Sequence, residues 1–466
     1  MTIDQAEKQS TETEALADML AELRGVHASG HTRSIEWRIQ QLKAIGRFCD
    51  EREAEIAAAI GEDLGRNAFD SWFGEIVGSK GEVDVAIKNL RKWMKPKRQK
   101  MPLNQQPGSA RIQYEPLGVV LVIGPWNYPV FLSLSPMVAA IAAGNCVVLK
   151  PSELAPATSR MLAEWLPKYL DPSAVKVVEG DGVFTQQLLA LGFDHALFTG
   201  GTEIGRKIMA GAAPTLTPVT LELGGKSPVI VSADADLGVV ARRLAWVKLM
   251  NSGQTCIAPD YVLVENSVKD KLVAEVKNAI ADQQVENPDG LKIVNQRQFD
   301  RLASYLDATK GTVALGGTTD PSTLRMMPTV LVDPDPSEPA MTDEIFGPIL
   351  PIIGYDKVDE AIRFVNARPK PLALYVFTKS KQLANSVIDR IPAGGVVINH
   401  IALHCLTPSL PFGGVGASGM GAYHGEWGFQ ALSHRKAVLS KTFSPDLRMA
   451  YPPYGERAQK LMRKLF

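Results

Sequence analysis

The sequence has 466 residues, of which 45% are hydrophobic and 21% are charged. A chain of this length and composition buries a large core and divides into two or three domains. Because 50 basic residues balance 50 acidic ones, the overall charge favours neither a nucleic acid nor an anionic membrane as partner, and recognition must be local.

The N-terminal region is predicted to be helical. Apolar residues recur three and four positions apart in four segments, at residues 13–27, 34–48, 51–64 and 72–94. The basic run at residues 92–100 contains Pro96 and is followed by Pro102. We interpret this run as a solvated connection rather than a phosphate-binding patch.

From residue 111 the pattern predicts a mostly parallel, doubly wound α/β sheet. Short runs typical of strands alternate with helical stretches, an order that produces a sheet covered by helices on both faces. The strands are predicted at residues 118–123, 146–149, 175–178, 195–199 and 219–221. The helices are predicted at residues 132–143, 157–169, 184–191 and 203–212.

A second α/β domain is predicted after the first. Its predicted strands and helices alternate along the chain, at residues 229–232, 237–249, 261–264 and 267–281. Two further strands are predicted at residues 373–377 and 395–399. The glycine-rich segment 411–425 is too irregular for a helix or a strand.

The sequence predicts a cytoplasmic protein with no membrane association. Residues 1–10 are polar and include acids, unlike the basic and then apolar regions of an export signal. The most apolar stretches, residues 118–131 and 132–149, contain prolines, asparagines and serines. Neither stretch provides the roughly 20 apolar residues of a membrane span.

Four cysteines stand far apart in the sequence, at Cys49, Cys146, Cys256 and Cys405. No pair has the CxxC spacing of a zinc knuckle or a redox dithiol. We interpret Cys49 and Cys146 as small core residues.

Two strand ends carry residues suited to a nucleotide. Residues 197–205 form a strand, a small-residue turn with Gly200 and a helix start with Gly205, which is the arrangement that presents backbone N–H groups to a phosphate. The same turn is also compatible with a simple tight connection. Lys150 and Glu153 follow another strand and are suited to a ribose or a phosphate, although both are equally compatible with surface charges.

Two further strand ends carry candidate catalytic groups. Asn127, within Pro125–Pro129, is a neutral donor for an oxyanion, and the alternative is a turn-forming asparagine. Glu222, within Leu221–Lys226, stands between apolar neighbours, where burial would raise its pKa and suit it to act as a base. The alternative is an ion pair between Glu222 and Lys226.

These features, together with Cys256 in Asn251–Cys256, resemble the aldehyde dehydrogenase superfamily. The resemblance extends from the first helices to about Lys441 and is strongest with the class 3 branch, which includes fatty-aldehyde and coniferyl-aldehyde dehydrogenases. The segments that carry it are Trp126–Pro129, Lys150–Glu153, Cys256–Tyr261, Pro411–Gly416 and Tyr423–Gly425.

The resemblance implies a mechanism. The thiolate of Cys256 attacks the aldehyde carbon to give a thiohemiacetal, and the Asn127 amide and the Cys256 backbone N–H hold the oxyanion. After oxidation, water activated by Glu222 hydrolyses the thioester, so that the products are a carboxylic acid and a reduced cofactor.

The resemblance also implies the cofactor site. The residues expected to contact the adenosine ribose, the pyrophosphate and the nicotinamide end are Lys150 and Glu153, then Thr199, Gly200, Gly201 and Gly205, and finally Glu344, Phe346 and Trp126. Glu153 would repel a 2′-phosphate, which favours NAD, although class 3 members often accept NADP as well.

The implied fold has two doubly wound α/β domains, a Rossmann-like cofactor domain and a catalytic domain, with a small β oligomerisation arm. The NAD(P)-binding domain is expected at residues 1–96 and 115–220, and the catalytic domain at 221–394. Residues 97–114 and 395–466 would form the arm and a C-terminal tail. A homodimer is the implied assembly.

The loop after Asn399 departs from the family pattern, which usually has an acidic residue next. His400 and His404 stand four positions apart, but Ile401 replaces the glutamate of an HExxH site, so we expect no metal. We expect Tyr128, His404 and Cys405 to line the substrate mouth. The short tail at residues 457–466 is expected to pack on the protein or a partner subunit rather than on a membrane surface.

Two other function classes compete with this interpretation. A cysteine hydrolase or thioesterase would use Cys256 and an oxyanion donor, but it would leave both nucleotide-like turns unused and lacks a convincing histidine partner. A non-catalytic binding protein on the same fold would leave Cys256, Glu222, Asn127 and Glu344 without a purpose.

Overall fold

The structure is a computed structural model that describes residues 3–285, 290–446 and 448–465. The outermost residues of the predicted first domain and of the predicted tail, Met1, Thr2 and Phe466, lie outside these ranges. The helices are α1 Ile3–Ala28, α2 Ile35–Glu51, α3 Glu53–Leu64, α4 Ala68–Ser71, α5 Val77–Trp93, α6 Phe131–Ala143, α7 Pro156–Tyr169, α8 Gly182–Ala190, α9 Thr202–Ala212, α10 Leu237–Leu249, α11 Lys269–Gln283, α12 Gln296–Ala308, α13 Pro339–Thr342, α14 Val358–Asn366, α15 Lys381–Arg390, α16 Gly425–Ala431 and α17 Glu456–Leu465.

The strands alternate with these helices over most of the chain. They are β1 Lys97–Gln99, β2 Gly108–Pro116, β3 Val119–Ile123, β4 Cys146–Lys150, β5 Val175–Val177, β6 His195–Gly200, β7 Val219–Leu223, β8 Pro228–Val231, β9 Tyr261–Glu265, β10 Thr312–Leu315, β11 Thr319–Asp320, β12 Arg325–Met326, β13 Thr329–Val332, β14 Ile349–Tyr355, β15 Ala373–Phe377, β16 Gly395–Ile398, β17 Gly419–Met420 and β18 Ser433–Lys441.

The first large sheet has six strands in the order β17-β7-β6-β3-β4-β5. Strands β3 to β7 run parallel, and β17 pairs with β7 in the antiparallel direction. Every residue of β3 and β4 is buried, as expected of parallel strands covered by helices on both faces. Cys49 and Cys146 lie in the core of this domain and are fully buried, as predicted.

The second large sheet has seven strands in the order β10-β13-β14-β9-β8-β15-β16. All of its pairings are parallel except that between β10 and β13. Two mostly parallel, helix-covered sheets confirm the predicted fold class.

A separate antiparallel sheet contains β1, β2 and β18. Strand β18 pairs with β2 over its whole length, from Ser433 opposite Pro116 to Lys441 opposite Gly108. The sheet therefore joins the segment before the first large sheet to the C-terminal region, where the small β arm was predicted.

Three details of the predicted organisation need correction. The helix predicted at residues 72–94 is two elements, because Trp72–Ile76 forms a π-helical turn before α5 begins. A single inserted residue hardly changes the apolar spacing, so the sequence pattern does not reveal it. The predicted boundary at residue 394 also fails, since β16 pairs with β15 inside the second large sheet. The segment 411–425, predicted to be irregular, contains the short strand β17.

No helix in the described ranges is long and apolar enough to cross a membrane. The predicted tail forms helix α17, in which Ala458 is buried and Leu461 is 40% exposed.

Candidate active site

Four neighbouring parallel strands of the first large sheet bring the predicted residues to one edge. The loop of Trp126 and Asn127 follows β3, Lys150 ends β4, and Thr199 lies near the end of β6, directly opposite Glu222 of β7. The carboxyl ends of parallel strands are where open α/β sheets bind their ligands.

Cys256 lies on a loop that follows α10 and has an unusual backbone. Asn251, Ser252 and Gly253 are consecutive left-handed residues, with φ angles of 51°, 50° and 68°. Such conformations are costly for residues with side chains and persist only where surrounding contacts hold them. At Gly253 a Cβ atom would overlap the carbonyl group of Gly347, so this position requires glycine.

Contacts with the Asn127 segment hold this loop. Asn127 Nδ2 donates to the Gln254 carbonyl at 3.0 Å, and Asn251 Nδ2 donates to the Asn127 carbonyl at 2.9 Å. The hydroxyls of Tyr128 and Thr255 lie 2.9 Å apart. The segment predicted to provide the oxyanion donor is thereby joined to the residues just before Cys256.

Cys256 and Glu222 line the same cavity, which has a volume of about 100 Å³. Cys256 is partly exposed, whereas Glu222 is buried. The lining is otherwise mainly apolar, with side chains that include Phe73, Tyr128, Phe131, Leu132, Trp246, Met250, Leu403, Cys405, Leu406, Phe412 and Tyr423.

Burial determines the ionisation of both groups. Among the residues that the structure describes, neither carboxylate oxygen of Glu222 has a hydrogen-bond partner. Burial raises the pKa of Glu222 well above 4.5 because an isolated carboxylate is poorly solvated there. Burial also raises the pKa of the Cys256 thiol, and nearby Glu344, Cys405 and Glu222 raise it further. The thiol is therefore neutral near pH 7 and must lose its proton as it reacts.

The alternative ion pair between Glu222 and Lys226 does not form. Lys226 pairs instead with Asp260 and also donates to the carbonyl groups of Ala340 and Asp343, at 2.9 and 2.7 Å. These contacts stabilise the segment that leads into Glu344 and leave Glu222 free to face the cavity.

Glu344, Phe346 and Trp126 form a second group beside this cavity. The Phe346 and Trp126 rings meet edge to face, with centroids 5.3 Å apart. Glu344 lies against Gly224, and its burial raises its pKa to about 7. An aromatic pair and a half-buried carboxylate are suited to a flat polar ring and a sugar hydroxyl.

The turn after β6 leaves the start of α9 open. Gly201 caps α9 without a side-chain hydrogen bond, and the space around its Cα is open, so the helix N-terminus remains accessible. Gly205 has a different role, since a Cβ there would lie 2.6 Å from Leu223 and α9 could not pack on β7. A further polar group at this turn is the buried hydroxyl of Thr199, which has no hydrogen-bond partner in the part of the chain that the structure describes.

Lys150 and Glu153 form an ion pair at 2.7 Å. The lysine side chain is buried and that of Glu153 is 42% exposed, so the pair presents a carboxylate at the surface beside the turn after β4. A contact of these two side chains with a ribose stays a prediction.

The structure corrects the prediction for His404. This residue does not line the cavity, because its ring packs between Tyr375 and Phe412, and burial lowers its pKa to about 4. Residues 403–406 form a tight 3₁₀ turn that turns neighbouring side chains in different directions. Cys405 therefore reaches the cavity and His404 does not. Tyr128 lines it, as predicted.

Several cavity residues carry no sequence signal that we recognised. Phe73 and Trp246 belong to predicted helices whose apolar residues are typical of core positions, and Met250 directly follows one of these helices. The sequence places His424 in the segment Tyr423–Gly425 without giving it a role, and in the structure it lines the cavity and pairs with Glu82 at 2.6 Å.

Comparison with known proteins agrees with this geometry. The sequence profile of the aldehyde dehydrogenase family matches residues 7–438. The chain is 47% identical to aldehyde dehydrogenase family 3 member A2 of Mus musculus over 93% of its length and 90% of that protein. It is 45% identical to family 3 member H1 of Arabidopsis thaliana, over 96% and 94% of the two chains.

Solved structures show the same fold. The substrate-bound state of Staphylococcus aureus AldH has a TM-score of 0.92 and 37% identity, and covers 96% of this chain and 99% of its own. The P. syringae indole-3-acetaldehyde dehydrogenase AldA, in complex with NAD+ and IAA, has a TM-score of 0.84 and 26% identity, with coverage of 92% and 89%. The predicted resemblance is confirmed, and the chain belongs to the aldehyde dehydrogenase family.

Proposed function

We propose that the protein oxidises an aldehyde to its carboxylic acid with NAD, through a thiohemiacetal and a thioester on Cys256. The observation that carries this proposal is that Cys256 and Glu222 face one largely apolar cavity. A nucleophile and a base that share a dry cavity are suited to forming an acyl-enzyme and then hydrolysing it.

In the first step, the sulfur of Cys256 attacks the carbonyl carbon and the thiol gives its proton to water, which leaves a thiohemiacetal oxyanion. We assign the oxyanion to the Asn127 amide and the Cys256 backbone N–H. One N–H of the Asn127 amide already donates to Gln254, and an amide group has two. The second remains for the oxyanion, on a side chain that is already fixed.

The residues present fit a nicotinamide dinucleotide. We assign the nicotinamide end to Glu344, Phe346 and Trp126, the pyrophosphate to the turn Thr199–Gly201 with Gly205 behind it, and the adenosine ribose to Lys150 and Glu153. The similar P. syringae enzyme was solved with NAD+, which supports the assignment. When bound, this cofactor would accept the hydride whose loss oxidises the adduct to a thioester.

The ion pair at the ribose end bears on the choice of cofactor. The carboxylate of Glu153 opposes a 2′-phosphate, which favours NAD. Lys150 lies 2.7 Å from that carboxylate and partly neutralises it, so we propose that NADP is accepted more weakly rather than excluded.

Hydrolysis of the thioester is assigned to Glu222. Its carboxylate has no competing partner, and its raised pKa makes it a better proton acceptor than an ordinary glutamate near neutral pH. It would take a proton from the attacking water and release the acid.

The cavity favours an apolar substrate. Aromatic and aliphatic side chains dominate its lining, with Tyr128 and Cys405 at its wall. We therefore propose medium- or long-chain aliphatic or aromatic aldehydes as substrates.

We further propose that the first large domain binds the cofactor, that the second carries the nucleophile, and that the β1-β2-β18 sheet joins two copies in a homodimer. Leu439, on the edge strand β18, is 58% exposed, and exposed strand edges pair readily with another chain.

All four cysteines are free thiols, which fits the reducing cytoplasm.

A panel of aliphatic and aromatic aldehydes, supplied with NAD and then with NADP, tests the proposed function through the absorbance of the reduced cofactor. We expect turnover with both chemical classes, with NAD preferred. Hydrolysis of a thioester without saturable cofactor binding would instead indicate a cysteine hydrolase. Absence of both activities would indicate a binding protein.

A further inference from the structure

A buried ion pair lies beside the segment that carries Asn127. Arg66, which follows α3, pairs with Glu75 in the π-helical turn, and their side chains are 1% and 0% exposed. Burying two charges costs about as much as their attraction returns. Stability alone therefore does not account for the pair, and its other contacts indicate what it does.

The second carboxylate oxygen of Glu75 anchors the start of α6. It accepts hydrogen bonds from the backbone N–H groups of Val130 and Phe131, at 3.0 and 2.8 Å. Helix α6 has no side-chain cap from its own N-cap residue, and the first N–H groups of a helix favour a negative charge. Glu75 thus fixes the backbone three residues after Asn127.

Arg66 contacts the same segment through the ring of Tyr128. Its guanidinium carbon lies 4.9 Å from the centre of the Tyr128 ring, a favourable cation–π distance. Gly74 leaves room for both, because a Cβ there would lie 3.0 Å from Arg66 Nη1 and 3.2 Å from Tyr128 Cε1. The Tyr128 hydroxyl in turn meets Thr255, next to Cys256.

The π-helical turn explains how one short stretch serves both the cavity and this ion pair. Phe73 and Gly74 line the cavity of Cys256, while the adjacent Glu75 is fully buried. An extra residue in a helical turn changes the direction of the following side chains, and such turns are frequent at functional sites.

We propose that Arg66 and Glu75 are positioning residues that hold the Asn127 amide where the oxyanion forms. Asn127 is tied to the Cys256 loop through Gln254 and Asn251, and the ion pair ties the following residues to the turn before α5. Displacing an oxyanion donor by a fraction of an ångström removes much of its effect. The inference rests on the proposed function, since it requires Asn127 to contact the oxyanion.

A double-mutant cycle between Glu75→Gln and Asn127→Ala tests the proposal. Alone, Glu75→Gln should lower kcat about 10- to 100-fold and change the aldehyde KM much less, because the lost contact forms mainly in the transition state. In the Asn127→Ala background, Glu75→Gln should lower kcat by less than about 3-fold. An equal loss in both backgrounds would overturn the proposal.

Asp63→Asn is the matched control. Asp63 is also a buried carboxylate that accepts backbone N–H groups at a helix start, from Ala157 and Thr158 of α7 at 3.0 and 2.8 Å. It should lower thermal stability without changing kcat at saturating cofactor. A loss of kcat as large as that of Glu75→Gln would show that any lost helix anchor has this effect, and would overturn the proposal.

If Glu75→Gln does not fold, Arg66→Lys enters the same cycle, because it keeps the charge and loses the planar fork. Asn127→Ala separates a failure of the oxyanion assignment from a failure of the positioning role. Full turnover in that variant would overturn the oxyanion assignment and, with it, the positioning role. If Asn127→Ala has a low kcat, but Glu75→Gln lowers kcat equally in the wild-type and Asn127→Ala backgrounds, only the positioning role is overturned.

Discussion

The carboxylate of Glu344 lies over Gly224 so closely that a Cβ atom at residue 224 would overlap both of its oxygens. Gly224 directly follows β7, the strand of Glu222. The absence of a side chain just after β7 thus allows a carboxylate from the other side of the proposed cofactor site to reach it.

Gly224→Ala should therefore displace Glu344 and weaken cofactor binding. We expect the KM for NAD to rise about 10-fold, which corresponds to about 1.4 kcal/mol of lost binding. Steady-state kinetics with varied NAD measures this. Gly182→Ala, at a position with open space around its Cα, is the control, and an unchanged KM in Gly224→Ala would contradict the assignment of Glu344.

The sequence predicted the edge of the first large sheet well because parallel, buried strands are continuous apolar runs. β3, β4, β6 and β7 lie within two residues of their predicted bounds. The sequence could therefore also predict that the side chains at the ends of these strands lie at one edge, since parallel strands present their carboxyl ends together.

The sequence predicted the middle of the second large domain poorly. No strand was predicted over β10, β13 and β14, because the first two have four residues each and prolines and glycines surround them. The direction of His404 depends on left-handed backbone at Asn399 and Ala402, which neither residue type requires. The periodicity of apolar residues carries no information on the backbone conformation of single loop residues.

The raised pKa of Glu222 predicts an acid limb in the pH profile of kcat. Hydrolysis requires the carboxylate, which is lost as the pH falls through the raised pKa. With both substrates saturating, kcat should therefore decline at a pH well above 4.5, the ordinary value. A kcat that stays constant down to pH 5 would show that Glu222 is not the base.

Cys405, at the cavity wall, and His404, which does not line the cavity, form a matched pair for substitution. Cys405→Phe places a ring in the space that a substrate chain would fill. We therefore expect the KM of a long-chain aldehyde to rise about 10-fold. His404→Phe, on the side away from the cavity, should leave that KM unchanged. The reverse order of effects would contradict the orientation of this turn.

The proposed dimer predicts a response at Leu439. Leu439→Asp places a charge on the exposed edge strand of the arm and should shift the mass measured by light scattering from twice 50.5 kDa towards the single chain. Val183→Asp, at an exposed apolar position on α8, should leave the mass unchanged. A wild-type protein that is monomeric would refute the arm assignment.

The most direct test of the mechanism is mass spectrometry of the Glu222→Gln variant mixed with aldehyde and NAD. Without its base, the enzyme should release one burst of reduced cofactor and then hold the acyl group as a thioester on the peptide that contains Cys256. Cys256→Ala should show neither the burst nor the adduct. Steady turnover in Glu222→Gln, or an adduct on another residue, would contradict the account.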